Sequence, residues 1–391
     1  MSFLRFYFYY ILLHLSLTGS SFMQIGDAVS VKLDSAFSYT YSDNILRDNY
    51  HTKESDSFTT FTPGLEVILG QSGRGVNFGI NVGYAFNRYY KTDALDTELL
   101  QLSMGGTVVN TPSFKTKVNY SFAENQIASP SISNTNQVQA TLIEINTESF
   151  AISSTYKFSP KLSLELGVRG NKLEFDTLSQ FFASKDSYTL PLRLTYEYSQ
   201  KFDIFYGIDY THRDVGPRSY GLPVGHPLYS NGYESDSYFY NLGLKGDLLP
   251  KLSGSFSVGY RAIEFSSQSL ADREALGLDS SLMWAISPKV NSKINILKTF
   301  DASGDGDTYN GLIINSSTSY VLNPEYNAGF NYGFSEKKYI GRTDQMTTSG
   351  LTLSYIPSEN YSITGGYFFT FSRSIRNYAE DQFRFIVDLK Y

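Results

Sequence analysis

LPLRLTYEY, Leu190–Tyr198, decides the fold. Leu190, Leu192, Leu194, Tyr196 and Tyr198 take every second position, with Arg193, Thr195 and Glu197 between them. Side chains two apart share one face of a strand, whereas a helix would scatter both sets around its axis. One face of this segment is therefore apolar and the other carries charge. The beat recurs on either side, in Leu162, Leu164, Leu166 and Val168 and in Ile204, Tyr206, Ile208 and Tyr210. It reaches both ends, with Val29, Val31, Leu33, Phe37, Tyr39 and Tyr41 near the start. At the other end stand Phe383, Phe385, Val387, Leu389 and Tyr391.

Composition agrees. The chain has 391 residues, of which 18% are charged, yet mean hydropathy is −0.24, so Ser, Thr, Asn, Gln and Tyr supply the polarity. Tyr (32) and Phe (29) dominate the aromatic content, and such residues favour strands. There is no cysteine, which excludes disulfides, thiol catalysis and Cys-ligated zinc and suits passage through an oxidising compartment. A net charge of −6 without any Lys/Arg-rich run speaks against nucleic acid as a partner.

Punctuation then separates a sandwich from a barrel. Tight turns are predicted at Gln71-Ser72-Gly73, Thr111-Pro112, Ser159-Pro160-Lys161, Gln200-Lys201, Leu249-Pro250-Lys251, Ser287-Pro288-Lys289, Asn323-Pro324-Glu325 and Pro357–Asn360. Between them lie longer polar segments, among them Ser42–Asp56, Asn125–Gln137, Asp214–Asp236 and Asp301–Gly311. Strands joined alternately by tight turns and long loops are the pattern of outer-membrane barrels, with the turns in the periplasm. Eight turns plus a strand at each end give an all-β fold: a single transmembrane antiparallel up-and-down β-barrel of about 18 strands, with 16 as the alternative count. Residues 1–22 read as a signal peptide, with Arg5 before the apolar FYFYYILLHLSL and then Gly19-Ser20-Ser21. Residues 23–391 form one barrel domain, with outer-membrane lipid as its surroundings.

Two stretches carry a family resemblance. Tyr41-x-Asp43-Asn44-Ile45-x-Arg47, followed by Phe61-Thr62-Pro63-Gly64-Leu65, resembles the opening hairpin of the putative β-barrel porin 2 family. Tyr339-x-Gly341-Arg342-Thr343-Asp344 near the end is similar to the same family. The resemblance implies an outer-membrane barrel associated with exopolysaccharide or capsule loci, and no catalytic residues. The last nine residues, FRFIVDLKY, resemble the C-terminal strand signal read by the barrel-assembly machinery, with Phe383, Phe385, Val387, Leu389 and Tyr391 as its alternating set.

Chemistry is sparse. His212 with Asp209 and Asp214 is the nearest thing to an acid–His constellation, and a strand-end histidine explains it better. Asp301, Asp305, Asp307 and Asn310 offer oxygens, but without the spacing of a calcium hand or its distal Glu. We expect no enzyme activity, metal or cofactor. If the apolar beat faces lipid, its complement lines a lumen: Glu165, Arg169, Arg193, Glu197, Asp209, Arg213 and Arg384 among others. The fuller set (Lys32, Asp34, Asp203, Lys245, Asp247, Asp279, Lys293, Asp388 and Lys390 added) balances cations against anions. That suits a neutral or zwitterionic polar solute, or a wall knitted by cross-strand ion pairs. Val215–Ser235, carrying Arg218, Tyr220, Tyr229 and Tyr233, is the expected constriction. The functions to weigh are a channel for a polar solute or polysaccharide and a plugged barrel that only displays loops.

Overall fold

A computed structural model of the chain describes residues 22–26, 28–48, 53–70, 75–128, 142–219, 230–267, 270–303, 306–374 and 377–390. The short β1 (Met23–Ile25) precedes eighteen long strands. These are β2 (Val29–Ser42), β3 (Asp56–Leu69), β4 (Val76–Tyr89), β5 (Thr97–Thr111), β6 (Phe114–Ala128) and β7 (Leu142–Ser159). They continue with β8 (Leu162–Phe175), β9 (Lys185–Glu197), β10 (Phe202–Val215), β11 (Tyr233–Leu249), β12 (Leu252–Phe265) and β13 (Arg273–Ser287). The last six are β14 (Val290–Ala302), β15 (Thr308–Val321), β16 (Tyr326–Lys338), β17 (Thr343–Ser358), β18 (Tyr361–Arg373) and β19 (Tyr378–Lys390). Each strand pairs antiparallel with the next, and β19 pairs back onto β2, from Gln382 opposite Ser42 to Lys390 opposite Asp34. Closure leaves no sheet edge, which a wall in lipid requires.

Seven of the eight predicted turns lie at one end of this barrel, and Gln71-Ser72-Gly73 falls outside the described residues. Five of them follow a register shift, at Val109/Thr111, Lys157/Ser159, Asp247/Leu249, Ala285/Ser287 and Tyr355/Ser358. A β-bulge next to a two-residue connection adds twist where the chain must reverse. The opposite end carries nine connections of uneven length. Two expectations need correction there. β6 runs on to Ala128, and Asp301–Gly311 is mostly strand, because β14 ends at Ala302 and β15 resumes at Thr308. The predicted leader falls outside the described residues except for Phe22.

The two faces separate as the alternation requires. Leu242, Leu276 and Leu351 are 59%, 60% and 60% exposed, and Leu192, Val258 and Phe385 point the same way on their own strands. An apolar face of this extent is stable only against an apolar medium. Strands of 13 to 18 residues exceed the roughly 9–11 needed to cross a bilayer, so the wall can tilt and still project beyond it.

Candidate functional site

A cavity of about 540 Å³ is bounded by Arg169 on β8, Thr189 on β9, Asp209 and Arg213 on β10, Arg261 on β12, Asp279 on β13 and Asp301 on β14. Strands that are not neighbours can share a cavity only on the inner face of a barrel, so this face is the interior. A second cavity of about 460 Å³ adjoins it along β4–β8 and shares Ser121, Ser149, Arg169 and Asn171 with the first. Its other polar lining is neutral, with Asn81, Ser103 and Asn119. Eighteen strands enclose more width than side chains can fill, and what remains is polar.

The inner wall holds its arginines on aromatic rings. The Arg193 guanidinium lies 4.4 Å from the centre of Phe205, and that of Arg261 lies 3.9 Å from Phe239. Arg384 sits over Phe368 at 5.2 Å. Each ring lies against a glycine: Phe205 on Gly243 of the next strand, Phe239 on Gly277 two strands away, and Phe368 on Gly350 of β17 and Gly366 of its own strand. A β-carbon at Gly243 or Gly277 would collide with the ring, so glycine makes the shelf on which the stack rests. Stacking on a ring fixes the guanidinium plane and leaves its N–H edge open.

Toward the loop end the wall is drawn together. Asp301 on β14 accepts from Lys185 Nζ on β9 at 3.0 Å and pairs with Arg213 Nη2 on β10 at 3.5 Å. Lys185 also donates to the Ala302 carbonyl at 3.0 Å. Below the loops Ala183, Val215 and Ala302 pack together with Tyr233, whose hydroxyl donates to the Gly306 carbonyl at 2.9 Å and bonds with Thr308. Side chains five strands apart therefore touch, and the barrel is pinched at this end over β9–β15. The connection 176–184 joins the pinch, with Phe182 buried against Ile143, Ile145 and Phe175.

A second charged cluster clasps the seam between β2 and β19. Glu380 is 1% exposed and accepts from Arg47 Nε and Ser42 Oγ, both at 2.8 Å. Asn44, fully buried, donates to the carbonyls of Asp48 and Ala379 and accepts from the Asp48 N–H. Asp43 accepts from the Asp381 N–H at 2.7 Å and pairs with Lys53 at 2.7 Å. Arg47 adopts a φ of 53°, which turns the loop back over the strand. Burial alone would pull the Arg47 guanidinium down, but the Glu380 carboxylate more than offsets this and holds it above its ordinary value. The Asp43-Asn44-Ile45-x-Arg47 segment is thus the first loop's anchor on the last strand. Gly64 leaves room for the Asp34 carboxylate on β2.

The other singled-out residues are placed as follows. Arg169, Asp209 and Arg213 meet in the first cavity, Glu165 stands opposite Arg193, and Glu197 opposite Asp203. Arg218 bridges by its backbone to Ser230, Tyr233 belongs to the pinch, and Tyr220, Tyr229 and Tyr391 lie outside the described residues. Phe383 and Phe385 point outward, as Val387 and Leu389 must by alternation. His212 bonds Asp236 at 2.9 Å, on the opposite face of β10 from Asp209, which dissolves the acid–His grouping. Asp301 is committed to two cations, so the oxygen-rich loop loses its first ligand. Sequence reading missed Arg261, although the Phe256-Val258-Tyr260 beat turns it inward.

The family model described as Putative beta-barrel porin 2 matches residues 31–391. Comparison with curated proteins finds no match. Among solved structures, the FrpB iron transporter from Neisseria meningitidis (F5-1 variant) aligns with a TM-score of 0.51 at 8% identity, over 89% of this chain and 63% of that one. The outer membrane protein OpdK from Pseudomonas aeruginosa aligns at 0.47 and 10%, over 93% and 99%. The siderophore receptor PirA from Pseudomonas aeruginosa aligns at 0.45 and 11%, over 94% and 81%. At these identities the likeness concerns the fold. The chain belongs to the Putative beta-barrel porin 2 family.

Proposed function

We propose that this member of the family is a bacterial outer-membrane pore that passes a polar solute, saccharide in class, by diffusion. One observation carries the reading: a closed wall, apolar outside, encloses a polar interior too wide for its own side chains to fill. Glu165, Arg169, Arg193, Glu197, Asp209, Arg213 and Arg384 line the path. Arg218 and Tyr233 stand at its outer mouth, with Tyr220 and Tyr229 in the sequence between them. Phe383, Phe385, Val387, Leu389 and Tyr391 present the chain to the barrel-assembly machinery after export under the leader 1–22. The protein acts without catalysis or cofactor. The pinch over β9–β15 favours a second reading, a barrel shut from outside that displays loops to matrix polysaccharide.

Single-channel recording separates the two. Purified full-length protein in a planar bilayer should give discrete conductance steps under salt. A folded barrel that inserts and passes no current overturns the pore and leaves display.

A further inference from the structure

The geometry points to a hinged flap at the loop end: the tip of the β14–β15 hairpin, residues 299–303 and 306–309, folds into the barrel and can swing back onto a vacated edge of β13. As a gate it depends on the reading of the interior as a solute path. The β13–β14 ladder runs from Ser287 opposite Val290 only as far as Leu278 opposite Lys298. Above that point β13 still pairs with β12, to Arg273 opposite Ile263, and β14 still pairs with β15, to Ala302 opposite Thr308. Among the described residues the edge 273–277 therefore has no ladder partner on its β14 side. On the other flank the β15–β16 ladder stops at Asn310 opposite Lys338. Below the split, 278–287 of β13 stay on the ladder, on the order of the 9–11 residues that cross a bilayer. The gap thus opens in the part of the wall that projects beyond the lipid.

Both faces of the flap record the displacement. Leu297, Thr299 and Asp301 line the first cavity, so Phe300 and Ala302 belong to the lipid-side face of β14. Yet these two are 4% and 2% exposed, whereas Leu276, which the extended register sets opposite Phe300, is 60% exposed. Ala302 packs instead with Ala183 and Val215, and Thr308 bonds with Tyr233. On the other face Asp301 meets Lys185 and Arg213, and Asp307 near the tip meets Arg342 at 3.7 Å. From the vacated edge Arg273 donates to the Thr308 carbonyl at 3.3 Å. The β5–β6 ladder also ends early, at Gln101 opposite Ala123, but side chains of β6 close that gap. Glu124 accepts from the Leu100 N–H at 2.7 Å, and Gln126 donates to the Leu95 carbonyl at 3.2 Å. At β13–β14 the contacts go to β9, β10 and β11 instead. An open strand edge is a template for pairing, and an exposed Leu beside it favours a cross-strand apolar partner. One segment with two alternative sets of partners is what a switch requires. Infolded, the flap spans from β14 to β9 and narrows the path; seated on β13, it rejoins the wall and clears it.

The chain has no cysteine, so engineered disulfides can hold either position. Leu276→Cys with Phe300→Cys should lock the flap on β13, because directly opposed residues of an antiparallel pair lie within disulfide reach. Ala183→Cys with Ala302→Cys should lock it infolded, where these two residues already pack together. Purified full-length barrels are oxidised, scored for the bond by thiol labelling on denaturing gels, and recorded in planar bilayers before and after reductant. Both bonds should form, and the unlocked barrel should step between two conductance levels. The first lock should lose the lower level and the second lock the upper one. A first lock that never closes in a folded barrel, or a conductance that either closed lock leaves unchanged, overturns the flap. If the first variant does not fold, the second decides alone: the upper level must vanish on oxidation and return with reductant, or the flap is overturned. A barrel that closes the first lock yet never conducts overturns the pore and spares the movement. One that conducts but never closes it does the reverse.

Discussion

The seam clasp and the mid-wall arginines are built from the same side chains to opposite ends. At the clasp Glu380 has Arg47 and Ser42 on its two oxygens, and Asn44 meets three backbone groups. At mid-wall Arg169 and Arg261 line the first cavity beside Asp209 and Asp279, and among the described residues none of these four side chains closes an ion pair. Buried charge survives only when matched group for group, because desolvation otherwise outweighs what it gains. Charge in a wet cavity carries no such demand and can stay available. Saturation therefore marks the structural cluster, and openness marks charge left facing the contents of the interior.

The largest expected effect breaks the clasp. Arg47→Ala orphans a buried carboxylate and should cost about 3 kcal/mol, near the low end for such a loss because Arg47 is partly exposed. Urea titration followed by gel mobility of the folded barrel measures it, and a loss under about 1 kcal/mol would make the clasp decorative. Next comes the pinch. Asp301→Ala frees Lys185 and Arg213 and should cost about 2 kcal/mol, as for hydrogen bonds to charged groups. If the pinch narrows the path, the same variant raises unit conductance, and unchanged conductance places the constriction elsewhere.

The mid-wall arginines should behave in the other way. Arg193→Gln should shift stability by no more than about 0.5 kcal/mol, yet tilt the reversal potential in a salt gradient toward cations. A stability loss as large as at the clasp would move this residue to the structural side. The smallest effect belongs to Lys32, paired with Glu66 at 3.5 Å where both are substantially exposed. Lys32→Ala should cost at most about 0.5 kcal/mol by the same titration, and a larger loss would mean that exposed inner pairs do knit the wall.

Sequence made one of these regions half-legible and hid the other's logic. Seven turns among the described residues could be located because Pro, Asn, Ser and Lys clusters interrupt a steady beat of two. The beat also turned Arg169 and Arg193 inward. It could not show which strands meet across the interior, so the Lys185–Asp301 contact was invisible and Asp301 looked like a loop ligand. Asp43 and Asn44 read equally well as turn formers. Their role depends on Glu380 and Ala379, more than 300 residues away in sequence but adjacent across the seam.

That seam is the barrel's one joint made without a hairpin. Seventeen of the eighteen strand junctions join consecutive strands, whereas β19 finds β2 across 340 residues, from Ser42 to Gln382. Closing so long a loop carries an entropy cost of about 5 kcal/mol that no hairpin meets. The joint offers nine residue pairs against fourteen between β2 and β3. It is therefore the last line to zip and the first to fray, and amide exchange should be fastest along β19 where it borders β2. Arg47 and Asn44 act as a latch at its outer end, holding shut the one gap that chain connectivity leaves open.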